Sequence, residues 1–141
     1  MTRAYICNLF VPFICLRCQG HITIIDDMWF IYRGQPKSEI PRDITHLRID
    51  PSVKVIGRWA FWHCTQLVEV KLCEGLERIE EHAFRGCKSL KHMHMPSTVK
   101  EIDEKAFYEC EHLVEVELCP GIEKIGFQAF DDDTSLEVAA Q

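Results

Sequence analysis

The chain has no cluster of basic residues. Its 16 Lys and Arg are scattered against 22 Asp and Glu, giving a net charge of −6 with histidine neutral. Nucleic acid and anionic membrane both select for grouped Lys and Arg, so neither is expected as the main partner. A membrane-spanning run is missing too. The apolar stretch from Ala4 to Leu16 is broken by Asn8 and Pro12 and is too short to cross a bilayer. Catalytic signatures are absent: no G-x-S-x-G, G-x-x-x-x-G-K or G-x-G-x-x-G occurs. That removes the nucleophile elbow, the phosphate-binding loop and the dinucleotide fingerprint. No enzymatic activity and no cofactor are therefore expected.

What the chain does have is repetition. Ala60-Phe61, Ala83-Phe84, Ala106-Phe107 and Ala129-Phe130 recur with a stride of 23 residues. Cysteine follows each phenylalanine by three at Cys64, Cys87 and Cys110, with Asp133 at the fourth site. A fixed period of this length marks a leucine-rich-repeat solenoid. Further apolar files appear on adding 23: Ile44, Leu67, Leu90, Leu113 and Leu136, then Leu47, Val70, Met93 and Val116. Ile49, Leu72, Met95 and Leu118 form another, as do Val53, Leu76, Val99 and Ile122, and Ile56, Ile79, Ile102 and Ile125. One coil cannot enclose its own apolar side chains. Coils stacked about 4.8 Å apart by parallel strand pairing can, with like residues piled on like. The expected fold is β-rich, with short parallel strands, tight or 3-10 corners and an N-terminal β-hairpin cap. Of the 8 cysteines, three hold one repeat position, so buried reduced thiols are expected rather than a disulfide framework.

Three segments follow from this reading. Residues 1–20 depart from the repeat and form an apolar N-terminal segment. It is either a secretory signal with an h-region of the right length or a flap over the first coil. A cytoplasmic protein is favoured unless that segment is a signal. Residues 21–43 hold two β-rich runs, Ile22 to Ile25 and Met28 to Tyr32, around Asp26-Asp27, followed by a loop; they are expected to form a hairpin cap on the open sheet edge. Residues 44–141 are the repeat array. Its last repeat is incomplete at Gln141, which suggests a piece of a longer array.

The motifs are specific. Leu67-Val68-Glu69-Val70-Lys71-Leu72, then Gly75-Leu76-Glu77-Arg78-Ile79, then Ala83-Phe84-Arg85-Gly86-Cys87 resembles the BspA-like class of leucine-rich repeats. Pro96-Ser97-Thr98-Val99-Lys100-Glu101-Ile102 is similar to the same family's turn and second strand. The resemblance spans residues 44–138. It implies a curved, non-catalytic scaffold that binds proteins or surface ligands.

Between the apolar files lie polar ones. His46, Glu69, His92 and Glu115 form one; Arg48, Lys71, His94 and Glu117 form the next; Asp50, Cys73, Pro96 and Cys119 form a third. All are expected to face the concave side. The first two files are the candidate ligand-binding surface, for a protein or peptide. Their simplest role is cross-strand charge pairing, worth about 0.2–1 kcal/mol per pair. A second reading is a metal site on His92 and His94, which share one strand face beside Glu69, Glu115 and Glu117. Cys15 and Cys18 with His21 form another metal candidate, weak without a second cysteine pair. Trp59 and Trp62 hold surface positions of the repeat and make an apolar patch that residues 5–16 are expected to cover, the second reading being a partner or self-association site. The leading function is a non-catalytic scaffold for a protein or peptide partner. The alternatives are a metal-binding module and a non-functional repeat fragment.

Overall fold

A computed structural model describes residues 13–14, 22–23, 28–130 and 137–140. Alternation of apolar and polar residues builds the first strand of every coil. Glu69-Val70-Lys71 and His92-Met93-His94 each run exposed, buried, exposed, as period-two geometry requires. These strands are β4 (His46–Ile49), β6 (Glu69–Lys71), β8 (His92–His94) and β10 (Glu115–Leu118). A turn then leads into a shorter strand in each coil: β5 (Val55–Ile56), β7 (Arg78–Ile79), β9 (Glu101–Ile102) and β11 (Lys124–Ile125). The remaining strands are β1 (Phe13–Ile14), β2 (Ile22–Thr23), β3 (Trp29–Tyr32) and β12 (Glu137–Ala140).

All stacking is parallel and in register. His46 lies opposite Glu69, His92 opposite Glu115, and Glu101 opposite both Arg78 and Lys124. The short strands form one continuous sheet, β5-β7-β9-β11. The longer strands make up the first sheet in two three-stranded parts, β3-β4-β6 and β8-β10-β12, with the ladder interrupted between β6 and β8; the short strands make up the second sheet.

The corners carry the core. Phe61, Phe84 and Phe107 are fully buried, and their rings stack with Phe130 at centroid spacings of 5.1, 5.2 and 5.3 Å. Tyr32 meets Phe61 edge-on at 5.1 Å and closes the N-terminal end of the file. The chain turns at each corner through left-handed residues. Trp59, His82, Lys105 and Gln128 precede each Ala-Phe, and His63, Gly86 and Glu109 follow it, all with positive φ. This bend turns the corner amides toward the next coil. Phe61, Phe84 and Phe107 donate to the carbonyls of Ala83, Ala106 and Ala129 at 2.8, 2.8 and 2.7 Å. The cysteine file works in the opposite direction. The Cys87 and Cys110 thiols donate back to the Phe61 and Phe84 carbonyls at 3.2 and 3.3 Å. None of Cys64, Cys73, Cys87, Cys110 and Cys119 is in a disulfide. Burial, first of all, pushes the Cys87 thiol well above its ordinary pKa.

Several expectations need correction. Among the described residues, Met28 to Tyr32 does not pair with Ile22-Thr23, the part of the first run that is described. Strand β3 runs parallel to β4, with Trp29 opposite His46, and adds a strand to the solenoid sheet. The hairpin is instead β1 with β2, antiparallel, with Phe13 opposite Thr23. Leu72, Leu118 and Ile122 are only partly buried. Ile125 is 48% exposed and Phe127 70%, where the short-strand ladder ends among the described residues. Leu136, Asp133 and the Cys15–Cys18–His21 group lie outside the described residues.

Candidate functional site

The first sheet face collects the polar files as the alternation requires. The eight candidates, His46, Arg48, Glu69, Lys71, His92, His94, Glu115 and Glu117, all sit on its outer side, between the buried positions Leu47, Val70, Met93 and Val116. Cross-strand pairing is present. His92 Nδ1 lies 3.2 Å from Glu115 Oε2, and His94 Nδ1 lies 2.6 Å from Glu117 Oε2. Glu69 faces His46 at 3.9 Å and Lys71 at 3.6 Å. The two imidazoles remain open to solvent, His92 at 65% and His94 at 70% side-chain exposure.

The interruption of the ladder gives this face a groove. A cavity of about 400 Å³ opens between β6 and β8. Glu69, Lys71, His92, His94, Glu115 and Glu117 stand around it, and Val70, Leu72 and Met93 contribute the apolar part of the lining. Six of the eight candidates thus share one groove. His46 and Arg48 fall outside it, on β4.

Those two gather around a residue that repeat counting misses. Trp29 packs edge-on to His46 at 5.1 Å, with the Arg48 guanidinium 5.5 Å and the Lys71 ammonium 4.3 Å from its ring. Both contacts lie within cation–π range. Trp29 precedes its register partner His46 by 17 residues rather than 23, so it is in line with no column of the repeat. Its signal was the alternation Trp29-x-Ile31 in a β-rich run.

The metal reading finds no support in this geometry. No three His, Cys, Asp or Glu side chains converge on a common point among the described residues. His92 and His94 are each engaged by their own glutamate.

The Trp59–Trp62 patch is half-buried, and its partial cover lies in the loop and the next coil. The Lys37 ammonium stands 4.6 Å from the Trp62 ring, and His82 stacks on Trp59 at 4.0 Å. Residues 5–16, the expected cover, lie outside the described residues. His82 is only 7% exposed and its Nδ1 has no hydrogen-bond partner, while its Nε2 lies 3.2 Å from Glu81. Burial lowers its pKa, against the opposing pull of the Glu81 carboxylate. On the second sheet, a cavity of about 380 Å³ is lined by Arg58, Arg78, Glu81, Asp103 and Lys124 beside Phe127. Its charges pair with one another, as Arg58 does with Glu81 and Lys124 with Asp103, while Arg78 pairs with Glu101 outside it.

Comparison with known proteins agrees with this geometry. No curated protein matches the sequence. Among solved structures, the pneumococcal vaccine antigen PcpA is 22% identical with a TM-score of 0.65, covering 83% of this chain and 28% of that one. A leucine-rich repeat protein from Bacteroides ovatus is 22% identical with a TM-score of 0.61, covering 70% of this chain and 30% of that one. At these identities the likeness is one of fold, and this chain spans less than a third of either protein. The BspA type leucine rich repeat region matches residues 40–139 in six copies. The chain therefore belongs to the BspA-type leucine-rich repeat family.

Proposed function

We propose that this protein is a non-catalytic scaffold that binds a protein or peptide partner across the exposed face of its first sheet, the face expected to be concave. The observation that supports this reading is the groove between β6 and β8. There, charged and imidazole side chains stand in solvent over Val70, Leu72 and Met93, on strands whose register is set by the core. A pre-formed surface of this kind binds through many modest contacts, since its strands need no ordering when a partner arrives.

A random-peptide phage library panned on the folded protein tests the proposal. Peptides are expected to be enriched, and each to lose at least about tenfold in affinity for a Glu69→Ala/His94→Ala variant, the scale of an interface hot spot. A Lys54→Ala/Lys100→Ala variant, altered beside the second sheet, should bind them as the parent does. Failure to enrich any peptide, or enrichment of peptides indifferent to the Glu69 and His94 changes, would overturn the proposal.

A further inference from the structure

Charge on the first sheet face is not evenly mixed. At its N-terminal end are Trp29, His46, Arg48 and Lys71, with two full positive charges crowded on the indole. At its C-terminal end are Glu115 and Glu117, and Glu137 takes the register position after Glu115. The acids of the N-terminal end are already held. Asp50 pairs with Arg33 at 3.5 Å and accepts from Ser52, and Glu69 is shared by His46 and Lys71. At the C-terminal end the only partners of Glu115 and Glu117 recorded among the described residues are His92 and His94. Counting the Lys, Arg, Asp and Glu side chains alone, the face is positive at one end and negative at the other, and the groove lies between the two.

Resting on the reading above, we propose that the partner is an extended polypeptide segment of opposite polarity. Its acidic end lies over Arg48, Lys71 and Trp29, and its basic end over Glu115 and Glu117. Arg48 and Glu117 occupy one file three coils apart, so at a paired-strand spacing of about 4.8 Å the two poles are separated by at least about 14 Å, the unpaired β6–β8 step setting the excess. An extended segment covers that minimum in about four residues at about 3.3 Å each. The segment therefore carries acidic and basic groups separated by at least about four positions, running along the stack and across the strands. A uniformly acidic or basic segment meets repulsion at one end, and like-charge juxtaposition is how surfaces of this kind reject wrong partners.

Fluorescence anisotropy with synthetic peptides tests this. One peptide carries two Glu and two Arg separated by four Gly or Ser; controls of equal length carry four Glu, four Arg, or the same charges alternating. The separated peptide is expected to bind at least about tenfold tighter than every control and to weaken in about 0.5 M salt, where screening is short-ranged. An Arg48→Glu/Lys71→Glu variant, whose melting temperature should match the parent's, is expected to switch its preference to the four-Arg peptide. Equal binding of the alternating or uniform peptides would overturn the proposal. So would a doubled mass by light scattering that Arg48→Glu abolishes, since the face would then be occupied by a second copy of this chain. If library peptides depend on Glu69 and His94 yet show no separated charges, the polarity proposal fails while the scaffold reading stands.

Discussion

Arg42 Nη1 lies 2.9 Å from the carbonyl oxygen of Trp62 and 3.3 Å from that of Ala60. In the following coils the equivalent carbonyls, Arg85 and Ala83, accept from the His63 and Phe61 amides of the coil before. Among the described residues no earlier corner supplies those amides to the first one. One guanidinium replaces them, while its other nitrogen holds the Lys37 carbonyl at 3.3 Å. Arg42 is thus the N-terminal cap of the corner stack. Arg42→Ala should cost about 2 kcal/mol, the scale of carbonyls left without partners. Arg42→Lys should recover only part of it, because an ammonium lacks the planar fork. Urea unfolding of the three proteins checks this; an Ala variant as stable as the parent would remove the capping role.

Gly86 illustrates how tightly the corners are stacked. Its φ is +75°, and a β-carbon added there would lie 3.1 Å from the His63 ring of the preceding coil. Gly86→Ala should cost about 2 kcal/mol or more from left-handed strain and ring displacement together. His63→Ala removes the second contribution and leaves the first. A double-mutant cycle on chemical denaturation should therefore show a smaller Gly86→Ala penalty in the His63→Ala background. Additive penalties would mean that the ring is not the obstacle.

His82 makes the fold sensitive to mild acid. Buried against Trp59 with Nδ1 unpartnered, it is held neutral, and its pKa lies below the ordinary histidine value of 6.5. Arg85 and Lys105 push the same way as burial, while Glu81 and Glu104 oppose it. The unfolded chain binds the proton more readily than the folded one. Stability from this residue is thus complete above the unfolded value and declines as pH falls below it toward the folded value. Melting temperature should drop between neutral pH and about pH 5, and His82→Gln should flatten that drop. An unchanged slope in the variant would assign the acid sensitivity elsewhere.

Much of this architecture was legible because a solenoid writes its packing into a period. The phenylalanine, cysteine and leucine files are contacts between residues 23 apart, so counting finds them. What counting could not find breaks the period. Trp29 and Tyr32 complete the sheet and the aromatic file, yet β3 precedes β4 by a different interval, and the run reads equally well as a hairpin arm. Left-handed φ at Trp59, His82, Lys105, His63 and Glu109 carries no sequence signal, because only Gly86 among the corner residues advertises it. Alternation places the first two polar files on the outer side of their strands, but it fails for the third, where Pro96 is buried and Cys73 packs against the core. The groove through them was invisible, since β6 and β8 follow the same pattern as the strands that do pair.

The central claim is that the outer face of the first sheet binds and the interior only supports it. Site-specific photo-cross-linking tests it most directly, with a photoreactive residue placed at position 94 or, on the second sheet, at position 78, in the presence of a library-selected peptide. The account predicts a covalent adduct from position 94, none from position 78, and the parent's melting temperature in both proteins. Adducts from position 78 with none from position 94 would contradict it.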